Sequence, residues 1–186
     1  MVEVNMEQLI KQIEQWASDR NIIKGSKPID QAMKLFSEFG ELADSIAKSN
    51  LDGIIDGVGD CFVVLTNLCK MHGHSISDHI GSYGKSTNPK KTIIDLSECL
   101  YQISESNELE VDLDDYIAPI DMAVSHLDAI ALHYDLTLEQ CVEYSYNEIK
   151  DRVGILWNGT FVKSTDENYS DVLKMYQDSM EGNFSA

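Results

Sequence analysis

Positive charge is scarce in this sequence. Lys and Arg total 14 against 32 Asp and Glu, which gives a formal net charge of −18 at pH 7. A charge of this sign repels phosphate backbones and leaves no basic surface for nucleic acid, so we expect no nucleic-acid partner. An anionic small ligand would need cations between itself and the protein carboxylates, and the acidity therefore favours a metal-dependent site.

Long apolar segments and paired cysteines are also missing. No run of about 18 apolar residues occurs, and Met1 to Trp16 is amphipathic and charged rather than a secretory signal, so we expect a cytoplasmic protein without membrane contact. The four cysteines are not spaced as CxxC and fall within apolar helical patterns. They are expected to be reduced thiols in the core.

Hydrophobic periodicity is helical along most of the chain. Seven segments show it: 6–19, 30–49, 52–72, 75–84, 92–104, 120–134 and 138–153. The third segment is apolar around most of its circumference, which is typical of a central helix. Asn158-Gly159 between apolar residues predicts a β-hairpin at 155–163, and the tail 164–186 carries one more short helical pattern. The sequence predicts one all-α domain over residues 1–186.

An internal repeat is visible when residues 65–78 are laid over 127–140 at a constant offset. Apolar and small polar residues then coincide, which predicts a degenerate helical unit, inserted or duplicated, at about residues 92–136. The acids do not recur: Asp60 aligns with Met122 at this offset, and Glu41 aligns with Tyr101 at the slightly different offset that pairs 37–38 with 97–98. We expect the second half to supply structure rather than a second metal site.

Two pairs of acids stand at helical spacing, Glu38 with Glu41 and Asp56 with Asp60. The short connection between their helices predicts antiparallel packing, which brings the pairs face to face. Asp56, Asp60 and Asn67 form a narrow polar strip on an otherwise apolar helix, where a buried carboxylate requires a cation or a hydrogen bond. A Glu pair at this spacing is also typical of a solvated surface, so spacing alone leaves both interpretations open.

Two segments, QAMKLFSEFGELAD from Gln31 and IDGVGDCFVVL from Ile55, resemble the MazG-like nucleoside triphosphate pyrophosphohydrolases. That family is marked by EExxE on one helix and ExxD on the next. The similarity extends to 16–20, 146–154 and 159–163 and covers most of the chain apart from 92–136. It implies a helical bundle of the all-α NTP pyrophosphohydrolase type that converts a (d)NTP to (d)NMP and pyrophosphate. It further implies Mg²⁺, with Mn²⁺ as a substitute, a dNTP as the expected substrate, occurrence in phages and a homo-oligomer, either dimer or tetramer.

The same resemblance implies the acids of the site. Three acids match the motifs and are implied as catalytic and metal-binding groups: Glu38, Glu41 and Asp60. Ser37 and Gly57 depart from the pattern, because each stands where the family has a Glu. Asp56, one turn before Asp60, is expected to act as the fourth metal ligand.

Substrate-binding residues are implied in the same way: Trp16, Arg20, Lys34, Lys85, Asn88, Lys91, Lys150 and Arg152. Trp16 and Arg20 would stack on or pair with the base, although Trp16 also lies on the core stripe of its helix. The basic segment 85–91 either contacts phosphates or is a solvated loop.

Two other functions stay open. The missing acids at 37 and 57 are compatible with a catalytically inactive helical binding or regulatory protein. An acidic DNA mimic would spread its charge over the surface, and the narrow polar strip argues against that function. The preferred base, whether that of dGTP, dUTP or dCTP, is not indicated by the sequence.

Overall fold

The computed structural model describes residues 5–81, 84–108 and 113–182. Eight helices lie in this part of the chain: α1 (Met6–Asp19), α2 (Ile22–Gly25), α3 (Pro28–Lys48), α4 (Leu51–Met71), α5 (Pro89–Glu108), α6 (Leu113–His133), α7 (Leu138–Ile149) and α8 (Tyr169–Gly182). A 3₁₀ helix, Ile76–His79, follows α4, and strands β1 (Gly154–Trp157) and β2 (Thr160–Lys163) follow α7. The predicted all-α class with a small hairpin is confirmed. No helix in the described ranges is long and apolar enough to cross a membrane.

Side-chain caps fix several helix starts. The Asn5 side chain accepts a hydrogen bond from the Glu7 amide at 2.9 Å, and Asn50 accepts one from the Gly53 amide. Thr137 and Gln140 form a reciprocal capping box at the start of α7. Each of these side chains satisfies an amide that the helix itself leaves unpaired. Helices α1 and α7 start at the predicted residues, whereas α4 starts one residue and α3 two residues before the predicted position.

Helix α4 is the centre of the bundle. It packs against α1, α3, α6 and α7, and its residues from Cys61 to Cys69 are all buried. Gly59 allows the closest approach, because a Cβ there would lie 2.2 Å from both the Cys141 carbonyl oxygen and Ser145 Oγ of α7. The all-round apolar pattern of this segment thus reflects contact with helices on several sides.

Helices α3 and α4 form an antiparallel pair in a continuous register. Near the connection, a Cβ on Gly53 would meet Ser45 Oγ at 2.4 Å, and one on Gly57 would meet Leu42 Cβ at 2.8 Å. At the far end of the pair, Asn67 Nδ2 donates to Gln31 Oε1 at 3.4 Å. This register places Glu38 of α3 across from Asp60 of α4.

Several predicted boundaries are wrong. The sequence predicts a helix over 75–84, but the described residues of this segment contain only the 3₁₀ helix Ile76–His79. Residues 82–83 lie outside the described part of the chain. Helix α7 ends at Ile149 rather than 153, since the carbonyls of Ile149, Lys150 and Arg152 accept hydrogen bonds from α1 side chains. Helix α5 starts at Pro89, because Pro is favoured in the first turn of a helix, and it therefore includes the end of the basic segment 85–91.

The predicted repeat unit is a helix pair, α5 with α6, which packs against α3 and α4. Between the predicted helices 92–104 and 120–134 the sequence predicts an acidic loop, residues 105–115. Residues 109–112 of this loop lie outside the described residues, and α5 and α6 include the rest of it. The duplication itself stays a prediction.

The hairpin is anchored to the end of α1. Asn158 and Gly159 have φ of 49° and 76°, the left-handed geometry that a two-residue hairpin turn requires. The Leu156 amide donates to the Arg20 carbonyl at 2.8 Å, and Asn21 Nδ2 donates to the Leu156 carbonyl at 3.1 Å. These two bonds hold one face of the hairpin beside α1 and α2, while α8 packs against the other.

Candidate active site

A cavity of about 390 Å³ lies between α3, α4, the end of α1 and the hairpin. Its lining combines acids, amides, cations and aromatic rings. The lining residues that bear on function are Trp16, Asp30, Gln31, Lys34, Glu38, Asp60, Asn67, Arg152, Phe161 and Lys163. Polar groups of both signs beside aromatic surface are typical of a small-molecule site.

Glu38 and Asp60 are the two acids that the structure brings together. Glu38 is only 5% exposed, Asp60 is half-buried, and both line the cavity. Lys34, one turn before Glu38 on α3, forms an ion pair with the Glu38 carboxylate. A buried carboxylate thus has a half-exposed cation as its partner.

The electrostatics of Asp60 show uncompensated negative charge. Burial, followed by the charges of Glu38 and Asp56, raises the pKa of Asp60 to about 6. A hydrogen bond with Ser145 and the charge of Lys34 act in the opposite direction but do not cancel these effects. Further positive charge in this cavity would therefore be stabilising.

The other two predicted metal ligands lie outside the cavity. Glu41 is exposed on the flank of α3, and neither it nor Asp56 is part of the lining. Asp56 is half-buried, and its pKa is raised by burial and by the charges of Glu38 and Glu148, while Arg152 lowers it.

Gly57, the position of the family's Glu, has no room for a side chain. A Cβ there would lie 2.8 Å from Leu42 Cβ and 3.0 Å from Leu42 Cα. The backbone of α4 touches α3 at this point. The departure from the family motif therefore coincides with a close helix contact.

The donor atoms of the cavity suit a hard cation. Glu38 and Asp60 supply carboxylate oxygens, which Mg²⁺ and Mn²⁺ prefer, and the raised pKa of Asp60 marks charge that such an ion would neutralise. Within the described residues, no three His, Cys, Asp or Glu side chains are grouped closely enough to hold a metal ion. The fit thus extends to two protein carboxylates, with the other positions of a Mg²⁺ shell open to water and ligand oxygens.

Trp16 and Arg20 connect elements around the cavity. Trp16 Nε1 donates to the Ile149 carbonyl at 2.8 Å, and its ring lies 6.4 Å from that of Phe161. The Arg20 guanidinium lies 4.9 Å from the Trp16 ring centroid and donates to the Arg152 carbonyl at 2.7 Å. Trp16 therefore both lines the cavity and braces α1 against α7, whereas Arg20 acts as a brace outside the lining.

The predicted basic segment lies elsewhere, beside α5 and α6. Lys85 pairs with Asp135 at 2.7 Å, and Lys91 pairs with Asp95. The Asn88 side chain accepts a hydrogen bond from the Lys91 amide at the start of α5. None of the three predicted residues of this segment lines the cavity, and the same holds for Lys150, which donates to its neighbour Asn147.

Sequence reasoning did not assign a role to Gln31, Phe161 or Lys163, all of which line the cavity. Phe161 and Lys163 lie in the segment 159–163 that resembles the family, so a signal existed there. Gln31 opens the motif segment, and its partner Asn67 was already part of the predicted polar strip. Only three-dimensional proximity shows that these residues belong to one cavity.

The fold and the site define a mostly helical protein with a carboxylate-lined cavity. No family model matches the chain, and no solved structure matches it. The chain is similar to an uncharacterized 18.2 kDa protein in the rep-hol intergenic region of Haemophilus phage HP1, with 52% identity over 68 residues. That similarity covers 37% of this chain and 42% of the length of the phage protein. It links part of the chain to a phage protein without assigning an activity.

Proposed function

We propose that this protein is a MazG-like, metal-dependent nucleoside triphosphate pyrophosphohydrolase, which converts a (d)NTP to (d)NMP and pyrophosphate. One observation carries the proposal: Glu38 and Asp60, from two antiparallel helices, line a single cavity together with aromatic rings and cationic side chains. The resemblance of the two motif segments points to the same chemistry. By that resemblance the enzyme acts in the cytoplasm, including that of a phage-infected host, as a homo-oligomer.

The proposed roles follow from the chemistry of the lining. Glu38 and Asp60 would hold Mg²⁺, which when bound polarises phosphate oxygens and lowers the pKa of a bound water. Lys34 and Lys163 bring positive charge to phosphate groups in an otherwise acidic protein. The faces of Trp16 and Phe161 offer apolar surface to a nucleobase.

Lys34 has a second role in this proposal. In the structure it neutralises Glu38. Because Glu38 is buried, loss of this cation without a replacement would leave an unpaired charge. We expect Lys34 to turn toward the phosphates when a divalent cation takes its place beside Glu38.

A second candidate function is nucleotide binding without hydrolysis. The observation that favours it is that two of the four predicted metal ligands, Glu38 and Asp60, line the cavity, whereas Glu41 and Asp56 do not. Two protein carboxylates are sufficient for one Mg²⁺ shared with phosphates, whereas two-metal hydrolysis needs further ligands.

The two candidates are separated by product analysis. The purified chain is incubated with each common NTP and dNTP in the presence of Mg²⁺, and the products are resolved by ion-exchange chromatography. The proposal expects monophosphate and pyrophosphate in equal amounts and no activity with excess chelator. Release of orthophosphate would indicate a different phosphohydrolase, and nucleotide binding without turnover would favour the second candidate.

Three variants make the test specific. Glu38→Gln and Asp60→Asn should each lower kcat/KM by about 100-fold or more, because each removes a charged metal ligand. Glu105→Gln neutralises an exposed acid on α5, far along the chain from the cavity lining, and should leave the activity unchanged. Equal losses in all three variants would point to an effect of net charge rather than to a site.

A further inference from the structure

The inner polar end of the cavity contains an acceptor without a donor. Asn67 is 4% exposed, and its Nδ2 donates to Gln31 Oε1 at 3.4 Å. Its Oδ1 is buried and has no hydrogen-bond partner among the described residues. Buried polar atoms are nearly always paired, so an orphaned acceptor on a residue that lines a cavity points to a missing donor, which a ligand could supply.

The orientation of the Asn67 amide follows from a chain of hydrogen bonds. The Ser26 hydroxyl is directed at the Lys27 carbonyl, 3.5 Å away, so its oxygen is left to accept from Gln31 Nε2 at 3.1 Å. Gln31 then presents its oxygen to Asn67, and Asn67 must use its nitrogen for that bond. In this direction the nitrogen of Asn67 already has a partner in Gln31, and its oxygen is the atom left without one.

The distance from the acids fits one nucleotide. Gln31 precedes Glu38, and Asn67 follows Asp60, by two helical turns, which corresponds to roughly 10 Å along the helix pair. This length is comparable to the span from the α-phosphate of a nucleotide to the far edge of its base. A ligand whose phosphates lie at the carboxylates would place its base edge at the amides.

We propose that Asn67 selects the base of the nucleotide by accepting a hydrogen bond from an exocyclic amino group. The inference rests on the proposed function to the extent that the ligand is a nucleotide. It names the substrate class: 4-aminopyrimidine or 6-aminopurine nucleotides are favoured over their keto counterparts. A keto oxygen at the same place would face the Asn67 oxygen, so two acceptors would be buried against each other. Gln31 and Ser26 are positioning residues for this contact.

The test measures binding rather than turnover, so it does not depend on hydrolysis. Calorimetric titrations with Ca²⁺ as the metal compare two matched pairs, dCTP with dUTP and dATP with dITP, which differ in the amino or keto group. The wild-type protein should bind the amino member of at least one pair about tenfold more tightly. Asn67→Leu should reduce that ratio to about one.

Variants at Gln31 test the positioning role. Gln31→Glu keeps the oxygen that accepts from Asn67 and should retain the preference, whereas Gln31→Leu frees the amide to rotate and should weaken it. Gln102→Leu replaces an exposed amide on α5 and serves as the matched control. Thermal melts of each variant verify that the helical bundle is intact. The ratio of amino to keto affinity in the wild-type protein tests the preference even if a variant fails to fold.

Each outcome is decisive. Equal affinities within both pairs, a preference for the keto members, or a preference that survives in Asn67→Leu would overturn the inference. Failure to bind any nucleotide would overturn it together with the proposed function. An amino preference that depends on Asn67, in a protein that hydrolyses nothing, would support the inference and reject the hydrolase proposal alone.

Discussion

Replacing Asp60 by Asn should stabilise the protein near neutral pH. The pKa of Asp60 is raised from 3.8 to about 6 by burial and by neighbouring acids, a difference of about two units. At 1.36 kcal/mol per unit this is roughly 3 kcal/mol, and partial solvent access lowers the expected gain to about 1–2 kcal/mol. The Asn side chain is nearly the same shape and carries no charge that burial would penalise.

The pH dependence gives the effect its sign. A raised pKa means that the folded state binds the proton more tightly than the unfolded state does. The contribution of Asp60 to stability is therefore complete below its unfolded pKa and is lost as the pH rises through about 6. The advantage of Asp60→Asn should be largest at about pH 7.5 and should fall to roughly half at about pH 5.

The assay is urea denaturation followed by helical circular dichroism, at both pH values and with chelator present. Adding Mg²⁺ should then stabilise the wild-type protein and remove much of its disadvantage, because the ion supplies the missing positive charge. Glu105→Gln should show no such pattern. A variant Asp60→Asn that is less stable than the wild type at the higher pH, or a difference that does not change with pH, would refute the reasoning.

Two further predictions concern the helix contacts. Gly59→Ala should destabilise the protein by about 2–3 kcal/mol, because the new methyl group would lie 2.2 Å from atoms of α7. Gly40→Ala should instead stabilise it by about 0.5–1 kcal/mol, because no atom lies within 4 Å of the new carbon and Ala is the better helix former. Similar unfolding free energies for the two variants would contradict the α4–α7 contact. Gly57→Glu, which introduces the Glu of the MazG-like motif, should lower the free energy of unfolding by about 3 kcal/mol or more, since Leu42 fills the space. Wild-type stability together with tighter Mg²⁺ binding would show instead that α3 and α4 separate easily at this position.

The sequence predicts the helices well where local signals act alone. The start of α1 carries an Asn cap and a clean apolar stripe, and the Asn-Gly turn specifies the hairpin by its left-handed backbone. The end of α7 could not be predicted, because it depends on Trp16 and Arg20, more than a hundred residues earlier in the chain. Long-range side-chain contacts of this kind leave no periodic signal.

The candidate site divides along the same line. Glu38 and Asp60 are indicated by spacing and by motif, and the register of α3 and α4 then places them in one cavity. Glu41 shares that spacing but lies on the solvent-exposed flank of α3. The spacing of the apolar residues alone does not determine which side of the helix faces the cavity. Phe161 enters from the hairpin, whose position relative to α3 is a property of the fold and not of any local segment.

The register of α3 and α4 also explains what the cavity can hold. Position 57 is closed by Leu42, and Glu41 turns outward, so Glu38 of α3 and Asp60 of α4 are the carboxylates that face each other, while Asp30 lines the cavity beside Gln31. Two helical turns away, the same register brings together one amide from each helix, and Asn67 donates a hydrogen bond to Gln31 there. The helix pair thus presents the Glu38 and Asp60 carboxylates at one level and the Asn67 amide oxygen at another. Such a pair suits an elongated ligand that binds a cation at one end and carries a hydrogen-bond donor at the other. If the proposed metal site exists, it has fewer carboxylates than the MazG-like motif implies, while the polar strip from Asp60 to Asn67 has about the length of a nucleotide.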